Sequence, residues 1–170
     1  MSSSQYEREF RFILEANETI LSKVTKTCSV LEREKYYTIQ KKPFVVIRAA
    51  GSFGVDLVAV RGDISFLIEI KTSISDTLHF SSINGKLQQQ ALTMKEICEK
   101  TSTLPIYAFR FKNFRGDSWR IFTLEISNLF GRLEILHRRI PLLEKSKNDY
   151  YIMRWADGMH LSDFISYLSQ

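Results

Sequence analysis

Apolar positions in this chain recur first with a helical period and then with a strand period. Phe10, Ile13, Leu14, Leu21 and Val24 return at helical spacing behind Ser4, which predicts one amphipathic helix over residues 5–24. Residues 25–43 are polar and mixed and end at Pro43, so a short helix or turn is expected there. Phe44–Arg48, Val55–Val60 and Ser65–Lys71 then read as strands, and the small residues from Ala49 to Gly54 form a loop where backbone can approach a ligand closely. Leu87, Ala91, Met94, Ile97 and Cys98 mark a helix over 86–100, and Ile106–Phe111 with Trp119–Leu124 predict a second hairpin. Beyond 126 come a leucine-bearing segment (129–143), a short strand (150–154) and a last helix. Its stripe Leu161, Phe164, Ile165 and Leu168 must pack on the sheet or on a second copy of the chain. This order predicts an α/β single domain, a mixed central sheet of about five strands flanked by helices. It divides into an N-terminal helix plus insertion (1–43), a core (44–125) and a C-terminal extension (126–170) for packing or dimerisation.

The first hairpin allows its register to be counted. Arg61-Gly62-Asp63-Ile64 joins the two arms, and a central Gly-Asp pair is a two-residue turn signal. With Arg61 facing Ile64, counting outward sets Asp56 opposite Glu69, with Lys71 two residues further along the same face. Opposed carboxylates, with Cβ atoms roughly 5 Å apart, repel unless something cationic lies between them. The neighbouring residues Leu57 to Val60 and Leu67 leave no polar face to solvate these charges, so the spacing points to a site for a metal ion. Oxygen ligands of this kind suit Mg2+, with Mn2+ as a possible substitute, rather than zinc. His79, His137 and His160 are isolated and are read as non-ligands.

Composition narrows the field modestly. The 170 residues are 44% hydrophobic and 25% charged, ordinary for a globular chain. The first residues lack a signal-peptide layout and no apolar run is long enough to span a bilayer, so a cytoplasmic protein without membrane contact is expected. Cys28 and Cys98 have no metal-ligand spacing and are expected to be reduced. The net charge of +5 is compatible with a polyanionic partner and acquires weight beside a site.

Asp56, followed after twelve residues by Glu69-Ile70-Lys71, resembles the signature of the PD-(D/E)xK nuclease superfamily. Several surrounding segments are similar to the archaeal Holliday junction resolvases: Phe44-Val45-Val46-Ile47-Arg48-Ala49-Ala50-Gly51-Ser52, Val55-Asp56-Leu57-Val58-Ala59, Pro105 to Phe111, and Trp119-Arg120-Ile121-Phe122. The resemblance implies a restriction-endonuclease-like fold and metal-assisted phosphodiester hydrolysis on branched, four-way junction DNA by a homodimer. It implies that Asp56 and Glu69, with the Ile70 carbonyl, hold Mg2+, and that Lys71 orients or helps deprotonate the attacking water. By the same transfer Glu7 and Ser52 join the catalytic set, and Arg48 and Gln90 face DNA or support the site. Lys86, Arg110, Lys112 and Arg120 complete the expected DNA surface. Restriction or repair nucleases of this fold, and a non-catalytic DNA-binding module, are the alternative readings.

The first acid has two candidates. Glu7-Arg8-Glu9-Phe10 lies 41 residues before Arg48, and Glu32-Arg33-Glu34 lies 16 before it, the spacing the family favours. Ser4-Gln5-Tyr6-Glu7 also reads as a helix capping box, which would occupy the Glu7 carboxylate. We favour Glu7 as the site acid, because Phe10, Ile13 and Leu14 continue an apolar stripe that can pack under the sheet, whereas Lys35-Tyr36-Tyr37 interrupts one after Glu34.

Overall fold

The computed structural model describes residues 3–49, 54–82 and 84–170. The first helical stretch is two helices, α1 (Ser3–Leu14) and α2 (Glu18–Val24), where the periodicity had predicted one. The reason is local: Ala16 takes a positive φ of 60°, and the Asn17 side chain accepts a hydrogen bond from the Ile20 N–H at 3.0 Å, so Asn17 starts a new helix. The polar segment after α2 holds α3 (Val30–Tyr37) and a 3-10 turn (Thr38–Lys41).

The core strands are β1 (Val45–Arg48), β2 (Leu57–Val60), β3 (Ser65–Ser73), β5 (Leu104–Phe111), β6 (Trp119–Phe122) and β9 (Met159–His160), paired in that spatial order. The sheet therefore has six strands, one more than anticipated, and is antiparallel except between β3 and β5. That parallel step is bridged by β4 (Thr77–His79) and α4 (Lys86–Thr101). Downstream lie α5 (Gly131–Arg139), β7 (Glu144–Lys145), β8 (Tyr151–Arg154) and α6 (Leu161–Leu168). β8 is the short strand expected over 150–154, but its pairing into a second sheet, ordered β4-β8-β7, was not anticipated, since its partners of three and two residues are too short to show a period.

The large sheet is covered on both sides over most of its width. α1 packs on one face through Phe10 and Trp119, with ring centroids 4.9 Å apart, and α6 joins it there through Phe66 and Phe164, at 5.8 Å. The last helix thus spends its apolar stripe on its own sheet, where Leu161, Phe164, Ile165 and Leu168 are fully buried. On the opposite face the small sheet packs through Phe80, which contacts both Tyr107 and Tyr151. Gln88 ties α4 to that sheet by accepting from the Tyr151 N–H at 2.8 Å and donating to the Asp149 carbonyl at 3.1 Å.

The β1–β2 end is different. Val46, Leu57 and Ala59 are buried on the helix side, while Val45 is 65% and Ile47 55% exposed on the other. The run without a polar face is therefore half uncovered in the isolated chain rather than buried on both sides. Among the described residues no helix is long and apolar enough to cross a membrane.

Candidate active site

The hairpin register is the counted one as far as the ladder extends. The Arg61 N–H donates to the Ile64 carbonyl at 3.0 Å, Val60 pairs with Ser65, and Leu57 pairs with Ile68. Asp56 comes one step after the last rung and leaves the ladder. Its N–H reaches the Ile68 carbonyl at 3.0 Å, and its Oδ2 accepts from the Ile70 N–H at 2.8 Å. The aspartate is thereby fixed beside Glu69 by backbone bonds rather than by strand pairing.

Glu69 is buried, and its Oε1 accepts from Lys71 Nζ at 3.0 Å. Loss of solvent pushes its carboxyl up to about 7; Lys71 opposes that rise, and the negative charges of Asp56 and Glu7 add to it. Glu7 is thus electrostatically part of the same group although it stands on α1. Its own carboxyl is raised by burial and by Asp56 and lowered by Arg48, whose Nε lies 3.3 Å from Glu7 Oε2. The Glu7 carboxylate faces this group and Arg48. Glu32 is the acid that caps a helix: its Oε2 accepts from the Ser29 N–H at 2.8 Å, and its own N–H donates to Ser29 Oγ at 3.1 Å.

Four charged side chains from three segments therefore come together beside the start of β2 and the middle of β3: Glu7, Asp56, Glu69 and Lys71. Among the described residues no three His, Cys, Asp or Glu side chains are arranged to hold a metal ion. Asp56 and Glu69 nevertheless suit a divalent cation, since two carboxylates completed by water are a common Mg2+ set, and a cation there would offset the burial that chiefly raises Glu69 and the negative charges of Asp56 and Glu7 that add to it.

Tyr107 joins the site by a route no local pattern shows. It is the parallel-strand partner of Glu69, it is fully buried, and its phenol is held well above its usual range by burial and then by Glu69. Finding it required the β3–β5 register.

The remaining expected site residues separate into groups. Ser52 lies outside the described residues. Arg48 is at the site, paired with Glu7. Gln90 is partly buried on α4, and its Oε1 is buried without a hydrogen-bond partner among the described residues. Lys86 is exposed at the start of α4. Arg110 is held by Glu9 at 2.9 Å and lies over the Tyr6 ring, as does Lys112.

Arg120 corrects an expectation. It is 5% exposed, its guanidinium stacks on Trp155 at 3.8 Å, and it donates to the carbonyls of Asp117 and Trp119. Burial lowers its pKa, and the side chain serves the core rather than a DNA surface. Gly158 closes over it: a Cβ at that position would lie 2.6 Å from Arg120 Cβ.

A mixed sheet with Asp56 beside its second strand and Glu69 and Lys71 within its third is the arrangement expected of a restriction-endonuclease-like fold. The chain belongs to the archaeal Holliday junction resolvase family, whose model matches residues 23–170. That range contains α3 and every strand but excludes α1. The solved structure of Archaeoglobus fulgidus Hjc, a Holliday junction resolvase from an archaeal hyperthermophile, is similar at 18% identity, covering 75% of this chain and 89% of that one, with a TM-score of 0.46.

Proposed function

We propose that this chain is a Mg2+-dependent, structure-selective endodeoxyribonuclease that resolves four-way DNA junctions by phosphodiester hydrolysis in recombination and repair. The observation that carries the reading is the convergence of Glu7, Asp56 and Glu69 beside Lys71, with the Glu69 carboxyl raised to about 7. Asp56 and Glu69, with the Ile70 carbonyl, would hold the ion, with Mn2+ able to substitute. When bound, Mg2+ supplies Lewis-acid polarisation of a phosphate oxygen and a water of lowered pKa. Lys71 Nζ, which donates to Glu69 Oε1, would orient the attacking water and meet the charge developing on the phosphate. Arg48, more than half exposed beside Glu7, is available to a neighbouring phosphate.

A homodimer is part of this reading, because cutting two strands of a junction takes two sites. It is supported by the exposed apolar strip of Val45, Ile47 and Val60 on the first two strands.

The deciding experiment incubates the protein with a four-way junction and with linear duplex of the same arm sequences, with and without Mg2+ or Mn2+. Metal-dependent paired incision of the junction is expected, and its loss in Asp56→Asn. Equal cutting of the duplex would make this a restriction- or repair-type nuclease. Junction binding without cleavage under either metal, alike in wild type and variant, would leave a non-catalytic DNA-binding module.

A further inference from the structure

The segment joining α2 to α3 packs against the β5–β6 hairpin and builds a groove with it. Thr27 Oγ1 accepts from the Gly116 N–H at 2.8 Å, and Gly116 has a φ of 107°, a backbone conformation that favours glycine. This contact sets Lys26 of the connection beside Arg115 of the hairpin. Together with Tyr6, Arg110 and Phe114 they line an open hollow of about 520 Å3.

The charge balance of the groove is one-sided. Lys26 and Arg115 are exposed, and neither is in an ion pair among the described residues. Lys112 lies 5.7 Å over the Tyr6 ring at the same place. The nearby acids are turned inward. Glu9 is buried and accepts from both Arg110 Nε and Trp119 Nε1 at 2.9 Å. Asp117 is buried and accepts from the Tyr36 hydroxyl at 2.7 Å and the Ser162 N–H at 3.0 Å. Among the described residues no carboxylate lines the hollow, nor the adjoining one, where Lys26 meets Arg33.

The groove is built on the same elements as the active site: Tyr6 precedes Glu7 on α1, and Arg110, on the helix-covered face of the sheet, is the strand partner of Thr72, the residue after Lys71. We propose that this groove holds the phosphodiester backbone of a DNA duplex arm as it leaves the active site, with Lys26 and Arg115 as its phosphate-positioning residues. The assignment rests on the DNA-cleaving reading above. It gives the segment between α2 and α3 a role: that segment supplies one wall of an arm-binding track. The recognition is electrostatic and reads no bases.

The test measures junction binding by fluorescence anisotropy in EDTA over a range of salt concentrations. For Lys26→Ala/Arg115→Ala the dissociation constant should rise roughly tenfold near physiological salt, and the log–log salt slope should shrink by about 2. The loss should fall on binding, with single-turnover cleavage at saturating protein within about threefold of wild type. Both side chains are exposed, so the melting temperature should hold. Lys26→Arg/Arg115→Lys, which keeps both charges, should bind within about twofold of wild type. The same is expected of Lys145→Ala/Lys147→Ala, which removes equal charge elsewhere. Wild-type affinity in the Lys26/Arg115 alanine variant, or an equal loss in the Lys145/Lys147 variant or in the charge-preserving one, would overturn the proposal. Failure of the junction reading itself would appear separately, as wild type cutting duplex as readily as junction, and the groove would then be measured on duplex.

Discussion

α1 and α3 carry the same tripeptide, Glu-Arg-Glu, and put it to opposite uses. In α1, Glu7 faces Asp56 and Glu69 while Glu9 is buried under Arg110 and Trp119. In α3, Glu32 closes a capping box on its own helix and Glu34 is exposed. The difference lies in the residues C-terminal to the tripeptide. Phe10, Ile13 and Leu14 are fully buried and lay α1 along the sheet, whereas α3 buries Tyr36 alone. A helix is aimed by its apolar face, and its charged residues go where that face sends them. Distance along the chain to Arg48 favours α3, and the family match includes α3 and leaves out α1. The tertiary position nevertheless belongs to Glu7.

The strongest way to break this contrast is to neutralise each acid in turn. Glu7→Gln should slow junction cleavage by about 10²–10³-fold at saturating substrate, while Glu32→Gln should stay within about twofold. Single-turnover kinetics would read both, and a larger loss in Glu32→Gln would reverse the assignment.

The same two helices should also differ in how much their second acids matter to stability. Glu9→Ala leaves a buried indole N–H and the Arg110 guanidinium without their acceptor and should cost about 2–4 kcal/mol. Glu34→Ala, on an exposed position, should stay within about 0.5 kcal/mol. Urea unfolding of the two variants would separate the buried acid from the solvated one.

A smaller effect sharpens the electrostatic side. Glu69 has a carboxyl raised from 4.5 to about 7 in the fold, so the folded state binds its proton more tightly than the unfolded state. Its contribution to stability is then fully present below pH 4.5 and is lost as pH rises through about 7. Glu69→Gln removes that loss. Without divalent metal, the variant should gain on wild type by about 1–3 kcal/mol between pH 5 and pH 8. Thermal melts at the two pH values would show it, and a constant difference would mean that Glu69 is already ionised at low pH.

Much of the frame was legible because it rests on local signals. The Gly-Asp turn set the β2–β3 register correctly through Leu57 and Ile68, since one residue of slip would have exchanged the two faces. What escaped was non-local or too brief to register. The helix break at Ala16 and Asn17 is short and lies within a continuous apolar period. Arg120 carries the same charge whether it meets solvent or Trp155, so its burial has no signature in the chain. Tyr107 becomes a neighbour of Glu69 through a parallel pairing that spans β4 and α4.

By itself, then, the sequence determined the hairpin, the alternation that carries Glu69 and Lys71 on one face, and the apolar stripe that aims α1. Each is a consequence of side-chain period and turn chemistry over a few residues. The tertiary structure decided which Glu-Arg-Glu stands beside Asp56 and Glu69, that Asp56 is fixed by the Ile70 amide rather than by a ladder pair, and where the cations between α2 and the second hairpin come together. Those outcomes depend on packing between segments far apart in the chain, where burial and charge are settled jointly.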